Sequence, residues 1–512
     1  MSRKYIGVSC GFHDAGVSVI DSEGEILFAG HSERYSKQKH DKDLCPEIID
    51  EALSHVDLNE IVSIHYYERP WVKAWRQYRA GQKLGPFSFS TIFGKDIYEK
   101  FTNIITQPWG YAMTDGHIPT IVNTHPHHKC HAAASFQTSP YDEATVVVID
   151  AIGESDCATI WKAHYNKKGV AKYKKLWTLK YPNSIGLYYS AMTARLGLRP
   201  LDEEYILMGM AAYGEPKYVD DLKEKFGAHT DSLLFKENTH IGIDDSFLEG
   251  ADEFDIAASA QAYVERLIQI VMRKAKTLGD SSNLVYGGGV ALNCSANRFL
   301  GDYFKNIWIM PNPGDAGNSL GAAALGYGKK LNWKNAFLGT DITGVYPVTE
   351  TLKALKKDKI VGIASGRAEF GPRALGTRSL LADPRGSKIK SEVNKIKKRQ
   401  QFRPFAPMIL EELVDEYFEM PVHWNNSPYM QVTAPCKHPK KFPAIVHKDG
   451  TSRVQTVPDD GTGIRRLLEA WYEETGCPIL LNTSLNVRGE PMVNDRSDAD
   501  RFEKLYKTRV IS

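Results

Sequence analysis

Residues 5–21 read YIGVSCGFHDAGVSVID. An apolar run, YIGVSC, stops at the turn GFHDAG, and a second alternating run, VSVID, follows at once. Alternation broken by a turn of glycine and aspartate is a hairpin signal. A further turn at SEGE leads into ILFAG, so the chain opens as three strands. The same pattern of apolar strand and glycine turn returns in TVVVIDAIGE (145–154) and in LVYGGGVALN (284–293), the last running into a helix. Lacking a Cβ, glycine lets backbone N–H groups approach phosphate oxygens. One such turn is weak evidence. Three in one domain point to a nucleotide clamped between two halves, against the plainer reading of three β-turns. Gly153, Gly287, Gly288 and Asn293 are then the candidate nucleotide contacts.

Helical spacing of apolar residues marks PEIIDEALSHV (46–56) and, most clearly, IAASAQAYVERLIQIVMRKAKTL (256–278). Strands alternating with helices place the chain in the α/β class. At 512 residues it exceeds one core, and a connector around 331–358 places a boundary near 345: domains 1–345 and 346–512. Residues 68–115, with Trp71, Trp75, Tyr78, Phe87 and Phe89, read as an irregular aromatic insert or lid. It suits stacking on a sugar or base, or a packed flap or homodimer contact, and the second reading is preferred. The formal charge of +2 gives no electrostatic case for nucleic acid or membrane. No apolar run reaches the length of a membrane span, and no secretory segment is read at the start. Seven dispersed cysteines without a CxxC pair fit free thiols in a reducing cytoplasm.

NTHPHHKCHAAASF (123–136) concentrates four histidines, and His127 and His131, four apart, share a helix face. That spacing suits two imidazoles on one metal, or simply a polar helix start. The residue after His127 is His128 where a zinc peptidase helix has Glu. Asp150, closing VVVID, and Asp315, in MPNPGDAGNSLGAA, are the natural further ligands. Two His and two Asp admit Fe, Mn or Zn without choosing among them. Cys130 is read as a packing residue, not as zinc ligand. In the second half, GRAEFGPRALGTRSLLADPR, KIKKRQQFRPFAP, DGTSRVQTV and PILLNTSLNVRGEPMV set arginines and lysines beside Gly, Pro, Ser and Thr. Arginine's fork matches phosphate and carboxylate oxygens in pairs, so these stretches form a candidate anion site.

Taken in order, CGFHDAG, HPHHKCHAAASF, VVVIDAIGE, YGGGVALNCSAN, PNPGDAGNSLGAA, GRAEFGPRALGTRSLLADPR, FRPFAP, DGTSRVQTV and NTSLNVRGEP resemble the nodulation-type O-carbamoyltransferases, a family that also decorates antibiotics. The resemblance implies an N-terminal actin-like, sugar-kinase-like ATPase (ASKHA) fold and a C-terminal twisted α/β domain like that of threonylcarbamoyl-adenylate synthases (YrdC-like). It implies that the C-terminal domain joins carbamoyl phosphate to ATP, with Mg, giving carbamoyl-adenylate and pyrophosphate. The N-terminal domain then transfers the carbamoyl group to a hydroxyl with the help of a metal, Fe(II) in the family. The acceptor is a sugar, nucleoside or natural product, with nucleic acid left open. By motif, His127, His131, Asp150 and Asp315 match the metal ligands; His13 and Asp14 match a transfer-site pair; Lys39, in ERYSKQKHD, falls in a basic segment. Arg373, Lys397, Arg399, Arg453 and Arg488, with Ser484 and Asn486, match the surroundings of carbamoyl phosphate and ATP. Two positions depart from the pattern: Ile206 stands where relatives carry lysine, and Gln400 where Glu is common. A tRNA threonylcarbamoyl transferase and a silent nucleotide-binding regulator are the competing readings. The fused second domain speaks against the first and the intact His/Asp set against the second.

Overall fold

The computed structural model describes residues 3–57, 60–84, 122–228 and 230–512. By internal contacts it forms two compact units: residues 1–187, 273–291 and 308–338, and residues 188–272, 292–307 and 339–512. Segments 188–272 and 292–307 thus pack with the C-terminal part of the chain.

The first unit holds two five-stranded sheets. In one, β1 (Arg3–Ser9), β2 (Gly16–Ile20), β3 (Ile26–His31), β4 (Ile61–Tyr66) and β5 (Val122–Thr124) run in the order β3-β2-β1-β4-β5. The strand–turn–strand reading of residues 5–21 holds, with Ile6 opposite Val19 and Val8 opposite Val17. In the other, β6 (Glu143–Gly153), β7 (Asp156–Tyr165), β8 (Ala171–Lys180), β9 (Asn283–Gly287) and β10 (Asn306–Trp308) run β8-β7-β6-β9-β10. The second sheet repeats the first: a leading strand paired antiparallel to the next, which pairs antiparallel to the third, while the leading strand takes a later strand in parallel on its other side. Ile6, Val8, Val17, Val19 and Phe28 bury one face of the first sheet against Ile48, Ile49 and Ala52 of the Pro46–Leu53 helix. Ala144, Val146 and Val148 of β6 pack on Ala132 and Phe136 of the His127–Thr138 helix. That helix lies hard against the Asn318–Tyr327 helix: a Cβ on Gly321 would sit 2.0 Å from the Cys130 carbonyl oxygen. Small residues are used here because only they allow backbones to approach this closely.

The structure differs from the sequence reading in three places. Residues 70–79 of the supposed irregular insert form a helix that starts on Pro70 and buries Pro70 and Ala74, with Trp71, Trp75 and Tyr78 exposed on the opposite face. Proline at the first helical position is preorganised for a start, and its short buried stripe was masked by the aromatics. The rest of that insert, with Phe87 and Phe89, lies outside the described residues. The strand carrying Asp150 continues to Gly153, so the turn follows at Glu154 instead of at the aspartate. The connector around 331–358 contains β11 (Phe337–Ile342).

In the second unit, β11 pairs with β13 (Gly366–Glu369). A seven-stranded sheet is built from β12 (Ile360–Ala364), β14 (Arg378–Ala382), β15 (Ala406–Leu410), β16 (Val432–Pro435), β17 (Thr451–Val457), β18 (Ile479–Ser484) and β19 (Val510–Ile511) in the order β16-β17-β15-β18-β14-β12-β19. The mixed α/β class read from the sequence is what both units display. Ile206 is buried in the Glu204–Ala211 helix, a core position. Among the described residues no helix is long and apolar enough to cross a membrane.

Candidate active site

Three elements of the first unit deliver the four side chains of one buried cluster. Pro126 opens the helix on which His127 and His131 lie one turn apart. Asp150 sits near the end of β6, and Asp315 opens the short helical turn Asp315–Gly317. The two Nε2 atoms are 3.1 Å apart. Asp315 Oδ1 lies 3.2 Å from each, and Asp150 Oδ2 lies 3.4 Å from His127 and 3.8 Å from His131. All four ligand atoms fall within 4.8 Å of one another. Bonds of about 2.0–2.2 Å in a tetrahedral shell put neighbouring donors roughly 3.3–3.6 Å apart, so the cluster has the dimensions of a metal shell. Two orphaned oxygens say the same: Asp315 Oδ1 and Asn318 Oδ1 are buried without a hydrogen bond. The residues therefore fit a divalent cation. Burial by itself would lower the imidazoles and raise the carboxylates. Pairing outweighs it, holding Asp150 and Asp315 ionised and both histidines above their ordinary range.

Glycine at 153 makes this packing feasible. A Cβ there would stand 2.4 Å from His127 Cδ2 and 2.5 Å from His128 Cδ2. The absence of a Cβ leaves the room that the two imidazoles occupy. Gly288, at φ +88°, brings its backbone against Ile149, and the Gly289 N–H donates to Asp150 Oδ1 at 3.1 Å. Asn293 lies in the second unit; it caps a short helix and exchanges hydrogen bonds with Gln261.

His13 and Asp14 occupy the β1–β2 turn. His13 Nε2 approaches Asp315 Oδ2 at 3.5 Å, while Nδ1 donates to Asp14 Oδ2 at 2.9 Å. Burial would lower His13, but the Asp315 and Asp14 carboxylates outweigh it and raise it to about 9. Lys39 is half-buried in a turn, and it is the next residue, His40, whose imidazole reaches Asp14 at 2.7 Å. Asn318, whose amide stands 3.0 Å from His131 Nε2 and 3.4 Å from His127 Nε2, was also missed. Its one signal was its place in the same GDAGNS stretch as Asp315. His128 hydrogen-bonds to Thr159, His125 to His65, and Cys130 is a buried thiol raised by burial.

The second unit gathers the basic residues. Lys397, buried just after the Ile389–Ile396 helix, donates to the Ser484 carbonyl at 2.5 Å, the Ser484 hydroxyl at 2.9 Å and Asn486 Oδ1 at 2.6 Å. Arg399 bonds Asn394 and the Pro404 carbonyl and lies over the Phe405 ring. Arg488 pairs with Glu203 at 2.9 Å, and Arg453 Nε is buried without a hydrogen bond. Burial, then the positive charge of Arg453 and Arg403, lowers Arg373 to about 9; burial and the neighbouring guanidiniums likewise lower Lys397 and Arg399. Arg403, stacked over Tyr205, belongs to this crowd and was not singled out in FRPFAP. Mutual repulsion among these cations would be relieved by an anion, so the arrangement is suited to accept one.

The model of the carbamoyltransferase N-terminus matches residues 4–324, and that of the C-terminus residues 352–511. An uncharacterised protein of Synechocystis is 33% identical, covering 97% of this chain and 93% of its own length. The nodulation protein NolNO of Sinorhizobium fredii is 31% identical over 95% of this chain and 76% of its own. The 3'-hydroxymethylcephem-O-carbamoyltransferase of Amycolatopsis lactamdurans is 25% identical over 95% of this chain and 94% of its own. Matched along nearly its whole length by both family models and by relatives of comparable size, the chain belongs to the carbamoyltransferase family.

Proposed function

We propose that the protein is an O-carbamoyltransferase working in two half-reactions. Among Arg373, Lys397, Arg399, Arg453, Ser484, Asn486 and Arg488, water releases phosphate from carbamoyl phosphate, and the resulting carbamate oxygen attacks the α-phosphorus of ATP, with Mg, giving carbamoyl-adenylate as pyrophosphate leaves. The carbamoyl group then passes to the hydroxyl of a small molecule beside His127, His131, Asp150 and Asp315. The observation that carries the reading is the four-donor cluster, whose spacing suits a divalent cation, in a chain of this family. The name of the Amycolatopsis relative, which specifies a hydroxymethyl acceptor, supports a small-molecule alcohol.

When bound, Fe(II) or another divalent metal supplies Lewis acidity toward the carbamoyl carbonyl. The chain's own groups do the rest. His13, facing Asp315, either takes the proton of the acceptor hydroxyl or donates to the carbamoyl oxygen. As the acceptor oxygen bonds to the carbamoyl carbon, the bond from that carbon to the phosphate oxygen breaks and AMP leaves. Lys397 and the arginines bind and neutralise the two anionic substrates. Gly153, Gly287, Gly288 and Asn293 are assigned to a nucleotide. The repeated strand order supports an actin-like fold for the N-terminal domain, 1–345, and the mixed seven-stranded sheet supports a YrdC-like domain at 346–512.

Incubation with ATP, carbamoyl phosphate and Fe(II) tests this: pyrophosphate and carbamoyl-adenylate are expected. His127→Ala should keep pyrophosphate release and lose transfer. Equal loss of both half-reactions in that variant would refute the division of labour, and no pyrophosphate from the metal-loaded protein would refute the enzyme reading.

A further inference from the structure

The loop carrying His13 is joined to a second loop, residues 37–43. Gly11 N–H donates to the Lys42 carbonyl and Ala15 N–H to the Asp41 carbonyl, each at 2.7 Å. Ser32 Oγ holds the Asp43 carbonyl at 2.7 Å, and the His40 N–H donates to Glu33 Oε2 at 2.9 Å. So clamped, His40 Nδ1 meets Asp14 Oδ1 at 2.7 Å, while His13 Nδ1 meets the other oxygen, Oδ2, at 2.9 Å. An ionised carboxylate only accepts, so both imidazoles present Nδ1–H to it. Asp14 and His40 are both held at positive φ, 52° and 55°. Such backbone persists only where the surroundings over-determine it.

Asp14, Glu33 and His40 are close enough together to hold a cation. Their facing atoms, however, are already bonded to one another and to a backbone N–H, so the group reads as a brace. A carboxylate gripped at one oxygen can turn about its side-chain torsion, whereas one gripped at both cannot. With Asp14 fixed, the His13 ring is fixed, and its Nε2 points at Asp315. We propose that His40 is a positioning residue of the transfer site, acting on His13 through Asp14. The inference rests on the carbamoyl-transfer reading and holds for either role of His13.

The test compares His40→Ala with His40→Asn. The asparagine amide nitrogen can replace Nδ1 as donor, and Asn tolerates positive φ. The full chain, loaded with Fe(II), is given ATP, carbamoyl phosphate and glycerol as hydroxyl acceptor. Pyrophosphate reports the first half-reaction; AMP release, as glyceryl carbamate plus hydrolysis, reports the second. Pyrophosphate formation, bound iron and melting temperature are expected to match the wild type in both variants. AMP release should fall about 10–100-fold in the alanine variant, the range for loss of an orienting partner, and return to within a few-fold of wild type in the asparagine variant. If alanine folds poorly, His40→Asp against His40→Asn asks the same question, since the two are isosteric and only Asn donates. Wild-type AMP release from the alanine (or aspartate) variant would overturn the proposal, as would an asparagine variant equally impaired, which would mean that the ring merely packs the loop. Absence of pyrophosphate from the wild type would remove the parent reading instead.

Discussion

Gly153→Ala isolates packing at the His/Asp cluster from everything else. The backbone at 153 is not in the left-handed region, so alanine is admissible there and only space matters. The new Cβ would meet His127 Cδ2 at 2.4 Å, His128 Cδ2 at 2.5 Å and His127 Cγ at 2.8 Å. Carbon atoms rest about 3.5–4.0 Å apart, so the rings or the strand must retreat by roughly 1 Å. Neither ring is loose: His128 is tied to Thr159 and His127 faces two carboxylates. Overpacking of this kind costs about 1–3 kcal/mol, which lowers the melting temperature by several degrees. A metal site tolerates donor displacements of only about 0.2 Å, so affinity should fall at least tenfold. Gly314→Ala, beside Asp315, is the control, because its Cβ meets nothing within 4 Å. The assay is metal content after competition with a graded chelator, with Co(II) absorption as a second readout and a thermal melt alongside. Wild-type affinity in Gly153→Ala, or an equal loss in Gly314→Ala, would refute the reasoning.

Lys397→Met should abolish pyrophosphate formation yet leave metal content unchanged, since its three acceptors lie on Ser484 and Asn486, outside the His/Asp cluster; retained pyrophosphate release would exclude Lys397 from that half-reaction. Arg378, wholly buried, donates to the carbonyls of Asn494, Ser365, Thr377 and Thr340. Arg378→Lys cannot reproduce this fork and should destabilise by about 3–5 kcal/mol, read as a drop in denaturant midpoint, while an unchanged midpoint would show the carbonyls are satisfied otherwise. Burial lowers His65 and His31 to about 3 and His125 and His447 to about 4. The unfolded chain therefore binds more protons below about pH 6.5, and stability should fall from there toward pH 4 by up to about 1.4 kcal/mol per pH unit for each such histidine. A melting temperature that stays flat across that window would contradict it.

Local patterns carried a good part of the fold. The alternation in residues 5–21 gave β1 and β2, and the 3.6-residue period gave the helix Glu253–Gly279. The helical start at His127 was legible because i, i+4 spacing is a local property. The helix Pro70–Arg79 was not, because two buried residues make a stripe too short to register against its aromatics. His40 and Asn318 were passed over for a different reason. His40 stands 26 residues from Asp14 and Asn318 lies 187 from His131, and only chain folding brings them together.

From sequence alone, residue chemistry and ordered motifs determined the family resemblance, the α/β class and the metal-ligand candidates. Tertiary structure alone decided that His127, His131, Asp150 and Asp315 converge, that Gly153 packs against two imidazoles, and that His40, beside Lys39, grips Asp14. The physical reason is range. Periodicity and turn chemistry act over a few residues and are written in consecutive letters, whereas a site is a set of distances between letters far apart, set by how sheets and helices pack.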